Sequence, residues 1–175
     1  MTAEPPAVPA HSRAIEEVGG WATLVFRRRL PHSPATVWSA LTDPAKVREW
    51  FMTDVRGEQR AGGRLELVTG PYRMRSVGRV LVWDPPRCYE YEWNVDARPS
   101  VPEGETTIVR WELAPADDGT LLTLTHRHLT LRTGRNYLDG MDAFLDRLEA
   151  QLADHPLPDW DRRLKELRDQ HADVD

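Results

Sequence analysis

Two imidazoles two residues apart, His126 and His128, are the first groups in this sequence whose type and spacing suit chemistry. On an extended strand that spacing puts both rings on one face, shared with Leu122 and Leu124. Such a pair could move a proton near neutral pH or supply half of a metal site. A metal needs a third ligand, and none stands at a recognisable spacing beside them, so no metal is expected. The plainer reading has one histidine hydrogen-bonded inside and the other exposed at the strand end. Glu90 and Glu92 repeat the spacing with carboxylates, the usual pair for acid–base work. They alternate with Tyr89, Tyr91 and Trp93, which places them on the solvent face, within reach of Arg75, Arg79 and Arg110 across strands. His126 and Tyr91 are the acid–base candidates that remain.

Other reactive patterns are missing. Cys88 is the only cysteine, which excludes an intramolecular disulfide and a cysteine-based metal site, and it reads as a packed thiol. No GxGxxG or GxxxxGK[ST] loop occurs and no Ser-His-Asp or Cys-His set is legible, so no cofactor is expected.

The elements that must carry these groups are well marked. In LPHSPATVWSALTDPAKVREWF (Leu30 to Phe51), Ser33-Pro34 and Asp43-Pro44 are two helix starts, each a capping side chain followed by a proline with no N–H to leave unpaired. Val37, Trp38, Leu41, Val47, Trp50 and Phe51 recur at helical spacing, so both short helices face one apolar surface. Alternation predicts strands over 21–30, 64–68, 74–83, 87–94, 106–113 and 120–129, separated by turns such as Asp84-Pro85-Pro86 and Asp117-Asp118-Gly119. From Arg135 to Ala153 a broad apolar stripe (Tyr137, Leu138, Met141, Phe144, Leu145, Leu148, Leu152) predicts one long helix, stopped by Pro156 and Pro158. Residues 1–20 read as a loosely ordered tail, 21–154 as the domain, and 155–175 as an amphipathic helical extension. In that extension Trp160, Leu164 and Leu167 could pack at home, or against a partner protein or second copy.

An antiparallel sheet of about six strands with one buried face, closed by a single long helix, is an α+β helix-grip arrangement. A bent sheet around one helix favours an apolar hollow between them. The expected lining is Trp50, Phe51, Met74, Tyr89, Tyr91, Trp93, Trp111, Tyr137, Met141 and Phe144, with His126 and His128 at its mouth, a lining suited to a small apolar or aromatic molecule. Core filling explains the same residues without a ligand.

The blocks VWSALTDPAKVREWF, GGRLEL, GRVLVWDPPRCYEYEW, GTLLTLTHRHL and YLDGMDAFLDRLEAQL resemble, in this order, the SRPBCC superfamily, which has the START or birch-allergen-like helix-grip fold. Within it they are most similar to the AHSA-type branch, named after the activator of the heat-shock-protein-90 ATPase. The resemblance spans about Leu24 to Leu152. It implies a hydrophobic pocket under the terminal helix and relatives that bind lipids, polyketides or aromatic compounds, a minority being cyclases or hydrolases. The eukaryotic activator uses a further N-terminal domain, for which the stretch before Trp21 is short.

Composition limits the partners. The 175 residues, 40% of them hydrophobic, suit one domain with a real core. A net charge of −5 argues against nucleic acid, and Arg27-Arg28-Arg29, the one run of three arginines, reads as the solvated end of a strand. No apolar run reaches the ~20 residues of a membrane span, and MTAEPPAVPA lacks the form of a secretory signal, so a cytoplasmic protein is expected. The expectation is therefore a non-enzymatic binder of a small apolar or aromatic molecule. The alternatives are a cyclase-, dehydratase- or hydrolase-like enzyme, or a chaperone-associated interaction module.

Overall fold

The computed structural model describes residues 9–172. Eight strands, β1 (His11–Val18), β2 (Trp21–Leu30), β3 (Thr53–Gly57), β4 (Arg64–Thr69), β5 (Met74–Asp84), β6 (Cys88–Val95), β7 (Glu105–Ala116) and β8 (Gly119–Thr130), form one antiparallel sheet ordered β1-β2-β8-β7-β6-β5-β4-β3. Helices α1 (Pro34–Thr42) and α2 (Pro44–Trp50) follow β2, and α3 (Leu131–Leu152) and α4 (Trp160–Ala172) end the fold.

Both short helices start as their cap residues require. Ser33 Oγ accepts from the Thr36 amide at 3.2 Å and Asp43 Oδ1 from that of Ala45 at 2.9 Å. The inner face of the sheet is built by strict alternation: Leu24, Phe26 and Leu30 on β2, Tyr89, Tyr91 and Trp93 on β6, Val109, Trp111 and Leu113 on β7, Leu122 and Leu124 on β8. All are buried in one cluster with α1, α2 and α3. Register couples the strands residue by residue, with Tyr89 opposite Trp111 and Trp93 opposite Thr107, then Trp111 opposite Leu124 and Val109 opposite His126.

Several expectations change. The sheet has eight strands rather than about six. Part of the supposed tail is β1, turned back onto β2 through Gly19-Gly20, whose φ values of 58° and 85° make the two-residue hairpin that matches strand twist. The portion of that tail before Pro9 lies outside the described residues. Arg28 is no solvated end: it shares the inward register of Leu24, Phe26 and Leu30, is 4% exposed, and donates to Asp142 of α3. Asp142, outside the apolar stripe of α3, is buried by that contact and by Arg13 of β1, 3.0 Å away. Glu90 does lie on the outer face, yet only 7% of it is exposed, because Arg110 and Arg127 reach over it at 3.2 and 3.0 Å.

The extension is spent within the chain. Trp160 stacks on Phe144 (5.1 Å between centroids) and donates to the Gly140 carbonyl at 3.1 Å, while Leu164 and Leu167 are buried with Ala143. Arg163 ties α4 to Asp146 at 2.7 Å. The apolar stripe thus covers the back of α3 and is not free for a second protein. No described helix is long and apolar enough to cross a membrane.

Candidate functional site

The space between the sheet and α3 has two ends of different character. At one end α2 delivers Trp50 and Phe51 onto the middle of the sheet. Trp50 stacks on Phe51 (4.8 Å, 7°) and meets Trp111 edge-on at 6.0 Å; Phe51 meets Phe144 edge-on at 5.0 Å; Tyr89 and Tyr91 lie 4.8 Å apart. Ring polar atoms here are engaged: Trp50 Nε1 donates to the Ala40 carbonyl at 2.8 Å and Trp111 Nε1 to the Tyr91 hydroxyl at 3.3 Å. The void among these rings, bounded also by Leu41, Val47 and Leu67, measures about 10 Å³. That is room for at most one water. The expected hollow is therefore closed here, filled by the aromatic side chains that were to line it.

At the other end the inner face turns polar. Where β6 ends and β7 begins, Trp93 stands opposite Thr107, and Glu105 lies two residues further, opposite Val95. Thr107 Oγ1 donates its one proton to the Trp93 carbonyl at 2.8 Å and lies 2.8 Å from His126 Nε2. The proton between the last two must therefore sit on Nε2, which fixes the His126 tautomer. The His126 ring stacks on Tyr137 of α3 (5.9 Å, 27°) and meets Trp93 edge-on at 6.1 Å. The Tyr137 hydroxyl lies 3.1 Å from Glu105 Oε2 and 3.2 Å from Met74 Sδ.

Burial sets the protonation of this cluster. With no charged partner, the His126 imidazolium is so penalised that its pKa falls to about 3. Burial also raises the Glu105 carboxyl above its ordinary value, against the hydrogen bonds of Thr133 and Tyr137, and it raises the Tyr137 phenol. His126 is neutral at physiological pH with its proton committed to Thr107. Burial likewise holds the Tyr91 phenol well above its ordinary value. Neither of the two acid–base candidates is poised to exchange protons near neutrality.

Two polar atoms in this cluster have no hydrogen-bond partner among the described residues: Trp93 Nε1, in a side chain 5% exposed, and Glu105 Oε1, in one 8% exposed. The rim is looser, since Met74 and Tyr137 are only partly buried, as are Leu138 and Met141 one and four residues further along α3.

The residues expected to line one pocket are thus divided. Trp50, Phe51, Tyr89, Tyr91, Trp111 and Phe144 form the packed end; Met74, Trp93, His126 and Tyr137 gather at the polar end, with Met141 half-buried against the same core. His128 leaves the group. It takes φ 69° at an irregularity in the β2–β8 register, so Leu129 turns inward in its place and His128 is exposed. Glu105 and Thr107 are the members that sequence reasoning missed. Both belong to the inward alternation of Val109, Trp111 and Leu113: Thr107 lies inside the expected strand, and Glu105 stands one residue before its expected start. Among the described residues no three His, Cys, Asp or Glu converge as metal ligands.

The sequence profile of the family described as "Activator of Hsp90 ATPase homolog 1-like protein" matches residues 31–153. The chain belongs to this family. Among solved structures it is similar to CalU16 from Micromonospora echinospora, with a TM-score of 0.72 and 26% identity over 95% of this chain and 98% of that one. It is also similar to protein MLL2253 from Mesorhizobium loti (TM-score 0.66, 26% identity, 75% and 96% covered). The protein encoded by gene BPP1335 from Bordetella parapertussis shares the fold (TM-score 0.69, 24% identity, 98% and 94% covered). No curated protein matches the chain. Family and fold support a ligand-binding or interaction module in general terms.

Proposed function

We propose that this AHSA-type protein binds a small apolar or aromatic molecule at the polar end of its interior, beneath the first half of α3, and that the guest enters by displacing rim side chains rather than by filling a standing cavity. The observation that carries this reading is the coincidence, at one place, of unpartnered buried polar atoms and an adaptable rim. A buried donor or acceptor left unpaired costs about 1–3 kcal/mol, which an occupant would return. Met74 and Met141, long and unbranched, re-pack at little cost. The packed end offers neither feature.

The neutral dye N-phenyl-1-naphthylamine tests the reading on the full chain. Its fluorescence should rise on saturable binding to the native protein, and Trp93→Ala, with the fold verified by circular dichroism, should weaken that binding about tenfold or more. A dye that leaves the native protein dark, or binds the variant equally well, removes this end of the interior as a ligand site.

A further inference from the structure

We infer that the polar end selects an electrically neutral guest bearing one hydroxyl or amide group, recognised by Trp93 Nε1 as donor and Glu105 Oε1 as acceptor, and that it discriminates against carboxylates. This deepens the ligand-binding reading above and rests on it.

The selectivity follows from which hydrogen-bonding capacity is already used. Thr107 has given its proton to the Trp93 carbonyl, and His126 has given its Nε2 proton to Thr107. The Glu105 carboxyl is held by Tyr137 at Oε2 and also by Thr133, with Oε1 left unpartnered. The fully buried atoms left without a partner in this cluster are one donor, the indole N–H, and one acceptor, the second carboxyl oxygen. The two come from inward neighbours on adjacent strands, since Trp93 pairs with Thr107 and Glu105 is two residues from it. Side chains at such diagonal positions stand about 7–8 Å apart at their bases, within common reach of one small group.

A hydroxyl or amide supplies both an acceptor for the indole and a donor for the carboxyl. An ether or ketone satisfies only Trp93, and a protonated amine, which has no lone pair to offer the indole, only Glu105. A carboxylate brings a second negative group against Glu105 where water is scarce, which is repulsive unless a proton is taken up. The Tyr137 and His126 rings, stacked on each other, offer flat surfaces to an aromatic body.

Two probes of nearly equal shape separate these cases: 2-naphthol and 2-naphthoate, titrated calorimetrically into the full chain at pH 7.5. Naphthol should bind at least ten times more tightly. Trp93→Phe, which keeps a ring and deletes the donor, should weaken naphthol about fivefold to tenfold, and Glu105→Gln should tighten naphthoate severalfold. Circular dichroism and the melting temperature establish that both variants remain folded. Naphthoate binding as well as naphthol, or naphthol indifferent to both substitutions, overturns the selectivity while leaving the ligand-binding reading in place. If neither probe binds while the neutral dye still does, the selectivity alone fails; if the dye fails too, the reading falls and the selectivity with it.

Discussion

The two ends of the interior are built on the same strands and roofed by the same helix, yet they meet opposite specifications. Around Trp50 every large ring has an edge-to-face or stacked neighbour and its nitrogen a partner, as a core requires. Around Trp93 the rings also touch, but the indole N–H and a carboxyl oxygen are left over. A core selected for stability alone would have filled those positions with aliphatic side chains. The contrast separates residues that hold the fold from residues available to a guest.

The same substitution at both ends sharpens that contrast most. Trp50→Phe enlarges a void of only about 10 Å³ and orphans the Ala40 carbonyl, so it should cost about 3–4 kcal/mol in urea unfolding. Trp93→Phe deletes a donor that has no acceptor and should cost about 1 kcal/mol or less. Equal costs would mean that both ends are ordinary core.

Acid reads the polar end next. His126 ionises near pH 3 in the fold and near 6.5 when exposed, so the unfolded chain binds the extra proton between these values. Stability from this residue is therefore complete above about pH 6.5 and is lost as pH falls, by about 3 kcal/mol between pH 7 and pH 4. His126→Gln keeps an N–H for Thr107 without the ionisation, and its stability should fall less over that interval. Parallel acid profiles for the two proteins would place His126 in contact with water.

Arg147 tests how the packed end is roofed. Its guanidinium on α3 donates to the carbonyls of Trp50 at 3.0 Å and Glu49 at 2.7 Å, the exposed end of α2, and to that of Pro158 before α4. A cation on helix-end carbonyls is favourable in hydrogen bonding and in charge. Arg147→Ala should cost about 2 kcal/mol and leave the affinity for 2-naphthol unchanged. Loss of naphthol binding would show that the two ends are coupled through α3.

Much of this division could be read from residue patterns. Capping residues fixed α1 and α2, alternation identified the inward aromatics, and the stripe from Tyr137 to Leu152 gave α3. The failures share a cause: each polar residue involved is held by a partner distant in sequence. Arg28 stands in the inward register, but Asp142, which neutralises it, is 114 residues away. The β1 strand has only Ile15 as a large apolar side chain facing α3, and its side-chain ties to that helix are polar: Arg13 to Asp139 and Asp142, His11 to Glu149 and Glu17 to Arg135. Glu105 opens its strand beside a loop, where the alternation had too few residues to register. Whether a ring-lined space is open or filled depends on interdigitation, which periodicity does not encode.

Glu105→Gln carries the smallest effect and the sharpest sign. Burial raises the carboxyl, so the protonated form suits the fold better than the ionised one. Its contribution is then fully present below about pH 4.5 and is lost as pH rises through the folded value, the reverse of the His126 case. At pH 7 the wild-type chain carries that penalty and the amide does not, while the amide oxygen can still accept from Tyr137. The variant should therefore be more stable than wild type at pH 7 in urea unfolding, with the difference shrinking as pH falls toward 4. A variant less stable at pH 7 would mean that the carboxylate charge is already compensated. Glu105 would then be a structural partner of Tyr137, and the polar end would differ from the packed end in degree only.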